Sequence, residues 1–261
     1  MGTVSKALSL LGYFSQTRPE IGLSDLARLS GMNKATVYRM MSELVEQGFA
    51  EQTFQGKSYR LGPEVLRLAA LREAAVPLLS VAREMLARLS EATGETAHMS
   101  ILQGARLNAL AHHYSARHGT RVTMEDAEVL SFHGTASGLA VLAFSDAAFV
   151  DGVLALPLVA HTAQTETRPE AIRARIAEVR RSGLAESVGG FEADVHSLAA
   201  PVFDAQGRPL GALAVAAPVG RMTPDQWACA AHDLRACAAD LTRRVGGFAP
   251  ARFTAHIPEE V

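Results

Sequence analysis

The sequence is poor in lysine and cysteine and contains no long apolar run. Only three lysines occur in 261 residues, Lys6, Lys34 and Lys57, and all lie before residue 62. The two cysteines, Cys229 and Cys237, fall eight residues apart in one expected helix. That is about 12 Å along its axis, which excludes an intrachain disulfide and leaves the free thiols typical of a reducing cytoplasm. No apolar stretch approaches the length of a membrane span, about 18 residues, and no signal peptide is visible. The expectation is therefore a cytoplasmic protein with no membrane partner. There is no GxGxxG and no phosphate-cradling glycine loop. His112, His113 and His118 are close in sequence, but they lack an i, i+4 pair or companion cysteines, so neither a metal nor a cofactor is expected. Gly134-Thr135-Ala136-Ser137-Gly138 has the order GxxSG instead of the GxSxG of a nucleophile elbow, and no clear strand precedes it. No catalytic residue is assigned, and a hydrolase-like enzyme is the least favoured reading. Internal repeats and low-complexity tracts are also missing.

The chain has 48% hydrophobic and 20% charged residues, enough for a buried core in a chain of ordinary polarity. Its length suits two domains. The net charge is −2, but residues 1–62 hold seven basic side chains (Lys6, Arg18, Arg28, Lys34, Arg39, Lys57, Arg60) against five acidic ones (Glu20, Asp25, Glu43, Glu46, Glu51). That excess is modest for a partner of DNA and fits two copies on one duplex better than one.

Residues 23–48 carry the strongest local signal. Ser24 is expected to cap a short helix ending at Ser30, Gly31 to take the left-handed turn, and Asn33 to cap a second helix. In that helix Val37, Met40, Met41 and Leu44 fall at i, i+3, i+4 and i+7 and form one apolar stripe. Ala35, Arg39 and Ser42 point the other way, flanked by Lys34, Thr36 and Tyr38. A first turn of small, polar and basic residues suits entry into a major groove. Residues 49–53 and 57–61 then read as two strands joined at Gln55-Gly56. A preceding amphipathic helix through Val4, Ala7, Leu8 and Leu11 completes a winged helix-turn-helix. The expected DNA contacts are Asn33, Lys34, Ala35, Thr36, Tyr38, Arg39 and Ser42, with Lys57 and Tyr59 from the wing.

The boundaries expected are 1–62 for the DNA-binding domain, 63–76 for a linker helix opening at Pro63, 77–247 for a second domain and 248–261 for a loose tail. In the second domain, residues 97–102 and 107–110 read as a hairpin, and 198–203 and 210–215 as another. Helices are expected at 77–93, 135–144, 169–182 and 223–244. Hairpins with helices before and after them indicate an α+β domain on an antiparallel sheet.

Four segments, LSDLARLSGMNKATVYRMMSELVEQGF, YRLGPEVLRLA, HGTASGLAVLAF and SLAAPVFDAQGRPLGALAVAAP, together resemble the IclR family of bacterial transcriptional regulators. The resemblance implies a mixed α/β chain: an N-terminal winged helix-turn-helix and a C-terminal GAF-like domain that binds a small metabolite. It also implies double-stranded operator DNA and a second copy of the chain as partners, in homodimers or tetramers, acting as a repressor or an activator, with a repressor expected here. A regulator without effector control is the alternative. By the same likeness the effector site would comprise Met99, Ile101, Thr135, Ala136, Ser137, Phe191, Glu192, Asp194, His196, Ser197, Ala214 and Ala216, with His196 and Asp194 as the polar recognition pair. The chain departs from the family at Gly138-Leu139, where members often have Gly-Lys, and at Gly189-Gly190, where many have two glutamates. These departures remove the basis for inferring a carboxylate effector; alanines in place of polar residues on the last strand imply a more apolar pocket, and Met99, Ile101, Ala214 and Ala216 serve equally as plain core.

Overall fold

The computed structural model describes residues 2–14, 18–53, 58–75, 78–124, 129–250 and 253. It divides into two compact units, Met1–Val76 and Pro77–Val261.

In the first unit, α1 (Thr3–Leu11), α2 (Leu23–Ser30) and α3 (Lys34–Glu46) are followed by the strands β2 (Ala50–Gln52) and β3 (Ser58–Leu61) and the helix α4 (Pro63–Ala75). A short strand β1 (Ile21–Gly22), absent from the sequence reading, pairs antiparallel with β3, giving the order β1-β3-β2. Two residues are too few to show a period of two, so no pattern announces β1. Leu10, Ile21, Leu26, Val37, Met41 and Leu44 form the core of this unit. Gly31 is left-handed, with φ +65°, and separates α2 from α3. Gly22, not Ser24, occupies the cap of α2, and no side chain caps this helix. The expected face of α1 is only partly right. Leu10 is its buried residue, whereas Val4 and Leu8 are exposed. The expected turn at Gln55-Gly56 lies outside the described residues.

The second unit is built on one six-stranded antiparallel sheet with the order β6-β5-β4-β9-β8-β7. Its strands are β4 (Thr96–Gln103), β5 (Arg106–His113), β6 (Val129–Leu130), β7 (Ala185–Val188), β8 (Val195–Phe203) and β9 (Pro209–Pro218). Both expected hairpins are present, and the edge strands β6 and β7 were not expected. The helices α5 (Leu78–Thr93) and α9 (Pro224–Arg244) pack on each other and on the central strands. Against the strands β7, β8 and β9 lies α6 (Ala136–Phe144), itself covered by α8 (Pro169–Ser182). The helix α7 (Ala147–Leu154) was also missed.

Small side chains explain how α6 fits. In the β4–β9 pairing His98 stands opposite Ala214, Thr96 opposite Ala216 and Ser100 opposite Ala212. Directly paired residues share a face, so His98, Ala212, Ala214 and Ala216 lie on one side of the sheet. Met99 and Leu213 lie on the other, because side chains alternate along a strand. Ala199, Ala212 and Ala214 contact the same core cluster as Ala140 and Ala143 of α6, all nine of whose residues are buried. The chain after α9 does not trail away at once. Phe253 is buried against Phe144 and Phe203, with ring centroids 5.3 and 5.2 Å away. Ala249 packs on the same cluster. The remainder of the expected tail, residues 251, 252 and 254–261, lies outside the described residues.

Candidate functional site

Two surfaces carry the chemistry, one in each unit. On the first, the Asn33 side chain accepts a hydrogen bond from Thr36 N at 3.0 Å and so fixes where α3 begins. Val37, Met40, Met41 and Leu44 are all buried, which turns the opposite face outward. Lys34, Ala35, Arg39 and Ser42 are exposed on that face, Tyr38 is 56% exposed, and Thr36 is half-buried. The Ser42 hydroxyl donates back to the Tyr38 carbonyl at 2.9 Å. Lys34 and Arg39 form no ion pair among the described residues, so both cations are available to a phosphate. Asn33→Ala removes the one side-chain cap on α3 and is expected to lower the stability of this unit by about 1 kcal/mol. Thermal unfolding followed by circular dichroism checks this, and an unchanged midpoint would show that the cap contributes nothing.

The wing differs from expectation. Tyr59 was assigned to DNA, but it is only 4% exposed and packs in the core of the first unit. Burial, together with the neighbouring Tyr38, raises its phenol pKa above the ordinary value. In a strand with one face on the core, the neighbour of an inward residue must point out. Here that neighbour is Arg60, which the sequence reading left out of the site. Arg60 is exposed and pairs with Glu51 at 2.5 Å. Lys57 lies outside the described residues.

The second surface is a small cavity on the α6 side of the sheet, open to solvent. Seven of the residues expected in an effector site line it: Thr135, Ala136, Ser137, Phe191, Glu192, Ser197 and Ala216. Thr135 caps α6 by accepting from Gly138 N at 2.9 Å and donating to Ser131 O at 2.7 Å. The Ser187 hydroxyl donates to the Gly134 carbonyl at 2.8 Å, tying β7 to the turn before α6. A Cβ on Gly190 would lie 2.5 Å from Ser187 Oγ and 2.6 Å from the Gly134 carbonyl oxygen, so no other residue fits this backbone. That spacing accounts for one of the two glycines where family members often carry glutamate. Thr162 and Thr165 donate to the carbonyls of Gly189 and Gly190 at 2.5 and 2.7 Å and hold the segment over the cavity.

The other five expected residues are elsewhere. Met99 is fully buried on the opposite face of the sheet, and the alternation of β4 places Ile101 on that face too. Ala214 is on the correct face but packs in the core cluster around α6. His196 alternates with Val195 and Ser197, both of which line the cavity, so it faces away. Its Nε2 lies 2.7 Å from Glu186 Oε1 and its ring 4.0 Å from that of Trp227. Asp194 is exposed, and its backbone carbonyl accepts from Val219 N. Leu139, which replaces the family's lysine, is fully buried in the core cluster and is not part of the cavity lining, so its effect on pocket charge is not the one expected.

In place of the pair Asp194 and His196 the cavity contains His98. This side chain is 6% exposed, its Nε2 lies 3.4 Å from Ser137 Oγ, and its buried Nδ1 has no partner. Burial, reinforced by His112 across the strand pair, lowers its pKa to about 4, so the ring is neutral at pH 7. A serine beside a histidine resembles the first two members of an acyl-transfer triad. The imidazole, however, has no carboxylate on Nδ1 to orient it, and a base this weak drives little proton transfer near neutrality. The arrangement suits binding better than catalysis. The described residues contain no group of three or more His, Cys, Asp or Glu placed to hold a metal ion, and no helix long and apolar enough to cross a membrane.

Comparison with known proteins agrees with this division. Residues 3–53 match the family model for the IclR helix-turn-helix domain, and residues 72–243 match that for the bacterial transcriptional regulator IclR C-terminal domain. The transcriptional regulator XynR of Escherichia coli K12 is 26% identical over 255 residues, covering 94% of this chain and 97% of that protein. A crystal structure of an IclR transcriptional regulator from Silicibacter sp. TM1040 is 66% identical, with a TM-score of 0.85 over 97% of this chain and 99% of that one. An IclR homologue from Microbacterium hydrocarbonoxydans, crystallised with 4-hydroxybenzoate, is 25% identical with a TM-score of 0.58, covering 94% and 99% of the two chains. With both halves of the chain matched in order, the protein belongs to the IclR family of bacterial DNA-binding transcriptional regulators.

Proposed function

We propose that this regulator is a ligand-controlled repressor of a metabolic operon. It acts as a homodimer, or as a dimer of dimers, on a near-palindromic operator. The observation that carries the DNA half of this reading is the exposed face of α3. Its cations are unpaired among the described residues, and its back is fixed by four buried apolar side chains. Lys34 and Arg39 would neutralise phosphates or read a guanine edge, Asn33 and Thr36 would position the helix start, and Ala35, Tyr38 and Ser42 would face the bases. A dimer places two such helices one helical turn apart, which explains how a module with little excess charge gains affinity. Leu66, Leu68 and Leu71 of α4 are exposed, and an exposed apolar helix supports self-association.

The cavity around His98 and Ser137 is the proposed effector site, and the 4-hydroxybenzoate bound by the Microbacterium homologue supports a small-molecule role for it. Ligand occupancy would shift the dimer between arrangements that fit and do not fit the operator, with residues 63–76 connecting the two functions. The size of that shift is limited by the ligand's difference in affinity for the two arrangements. Titration of a selected genomic fragment tests the reading. The expected stoichiometry is two or four chains per fragment, and the expected effect of a cavity ligand is weaker operator binding. Operator affinity that stays constant while a ligand saturates the cavity would leave a regulator without effector control.

A further inference from the structure

The cavity lining is one-sided in its chemistry. Val122, Met124, Leu130, Phe191 and Val195 supply apolar walls, and among the described residues no lysine or arginine contributes to it. The one carboxylate among the lining residues is Glu192, which is exposed. The hydroxyls of Thr135 and Ser187 already donate to the backbone carbonyls of Ser131 and Gly134. His98 is different: it lines the cavity, it is almost completely buried, and its buried Nδ1 has no hydrogen-bond partner among the described residues. A buried polar atom without a partner is costly and calls for an explanation, and a ligand group that completes it is the simplest one here.

Resting on the effector reading above, we propose that the ligand of this chain is a compact, mainly apolar, uncharged molecule whose single hydroxyl, carbonyl or amide group hydrogen-bonds to His98 Nδ1, rather than a carboxylate. A carboxylate would leave water for a wall with no cation among the described residues and with Glu192 at its edge, and an unpaired buried charge is far more costly than an unpaired dipole. The positive end of α6 offsets part of that cost, but Thr135 already occupies Gly138 N. The His98 ring is held neutral by burial and so supplies no countercharge near pH 7. A neutral imidazole donates from one nitrogen and accepts at the other, so a group able to do either satisfies Nδ1 whichever tautomer is present.

The test is calorimetric titration of the full-length chain with matched sets sharing one carbon skeleton: propionate, propionamide and 1-propanol; benzoate, benzamide and benzyl alcohol; phenylacetate, phenylacetamide and 2-phenylethanol. The expected result is at least one amide or alcohol that binds about tenfold or more tightly than its carboxylate. In His98→Leu that preference should fall by about tenfold, whereas in His98→Gln, which restores a donor and an acceptor, it should be largely kept. Unfolding midpoints of both variants would show that they are folded. Filling the cavity with Ala216→Leu should abolish binding. A carboxylate that binds as tightly as its neutral partners overturns the proposal but leaves the effector site standing. Neutral binding unaffected by Ala216→Leu, or no binding by any member at about 10 mM, removes the effector reading as well.

Discussion

Replacing Lys34 and Arg39 together with alanine is expected to weaken operator binding about a hundredfold or more at moderate salt, with the fold intact. Both side chains are exposed and unpaired among the described residues, so their removal should cost the folded state no more than about 0.5 kcal/mol. In the proposed dimer each would act twice on DNA. Each phosphate contact contributes about 0.9 to the slope of log affinity against log salt, and a good base-edge contact contributes about 1–3 kcal/mol of discrimination. Four lost cations should therefore flatten the salt slope by about three to four. Fluorescence anisotropy at several salt concentrations separates the two roles. A uniform loss over all sequences with a flatter slope assigns the pair to phosphates. A loss confined to the selected fragment assigns Arg39 to a base. Unchanged affinity and slope would remove α3 from the interface.

Gly138→Ala is expected to be the most damaging small substitution near the cavity, lowering stability by about 3 kcal/mol. An added Cβ at this position would overlap the Cα and carbonyl oxygen of Phe132 and the carbonyl of Ser131, all of them backbone atoms. The helix is buried along its whole length and cannot withdraw into solvent. Alanine's better helix propensity returns about 1 kcal/mol at most, so overlap dominates. For a domain of this size, the midpoint of thermal unfolding should fall by about 6–12 °C. Calorimetry checks this. A fall of less than about 1 kcal/mol would mean that the 131–134 turn moves freely and that the close approach of α6 to this turn does not fix the cavity.

The two surfaces differ in how much of them could be read from sequence, for a physical reason. The helix α3 is solvated on one side, so the spacing of Val37, Met40, Met41 and Leu44 separates core from surface, and Asn33 marks its start. The central strands β4, β8 and β9 of the six-stranded sheet carry continuous buried runs, and a strand buried on both faces shows no alternation. On β4 the apolar residues Met99 and Ile101 looked like the wall of a pocket, yet His98, which has the opposite parity, is the residue that lines it. The available signal was a histidine within an apolar strand; that it stands opposite an alanine of β9 emerges only from the fold. The same parity problem reversed His196 against Val195 and Ser197. Tyr59 was misplaced because a tyrosine in a short strand serves equally as core or as wing tip, and the pairing with β1 that covers it was not visible. Chemistry at α6 was clearer: Thr135 caps a small-residue helix that opens with Ala136 and Ser137, and the cap and the cavity both follow from that start.

The central claim is that the outward face of α3 reads DNA sequence. Competition binding of the purified full-length chain measures it most directly, with a fragment enriched from genomic DNA challenged by random-sequence competitor at physiological salt. The account predicts a preference of about a thousandfold or more for the enriched fragment, reduced to the level of random sequence in the Lys34→Ala, Arg39→Ala double variant. Equal affinity of the unaltered protein for enriched and random DNA would contradict it.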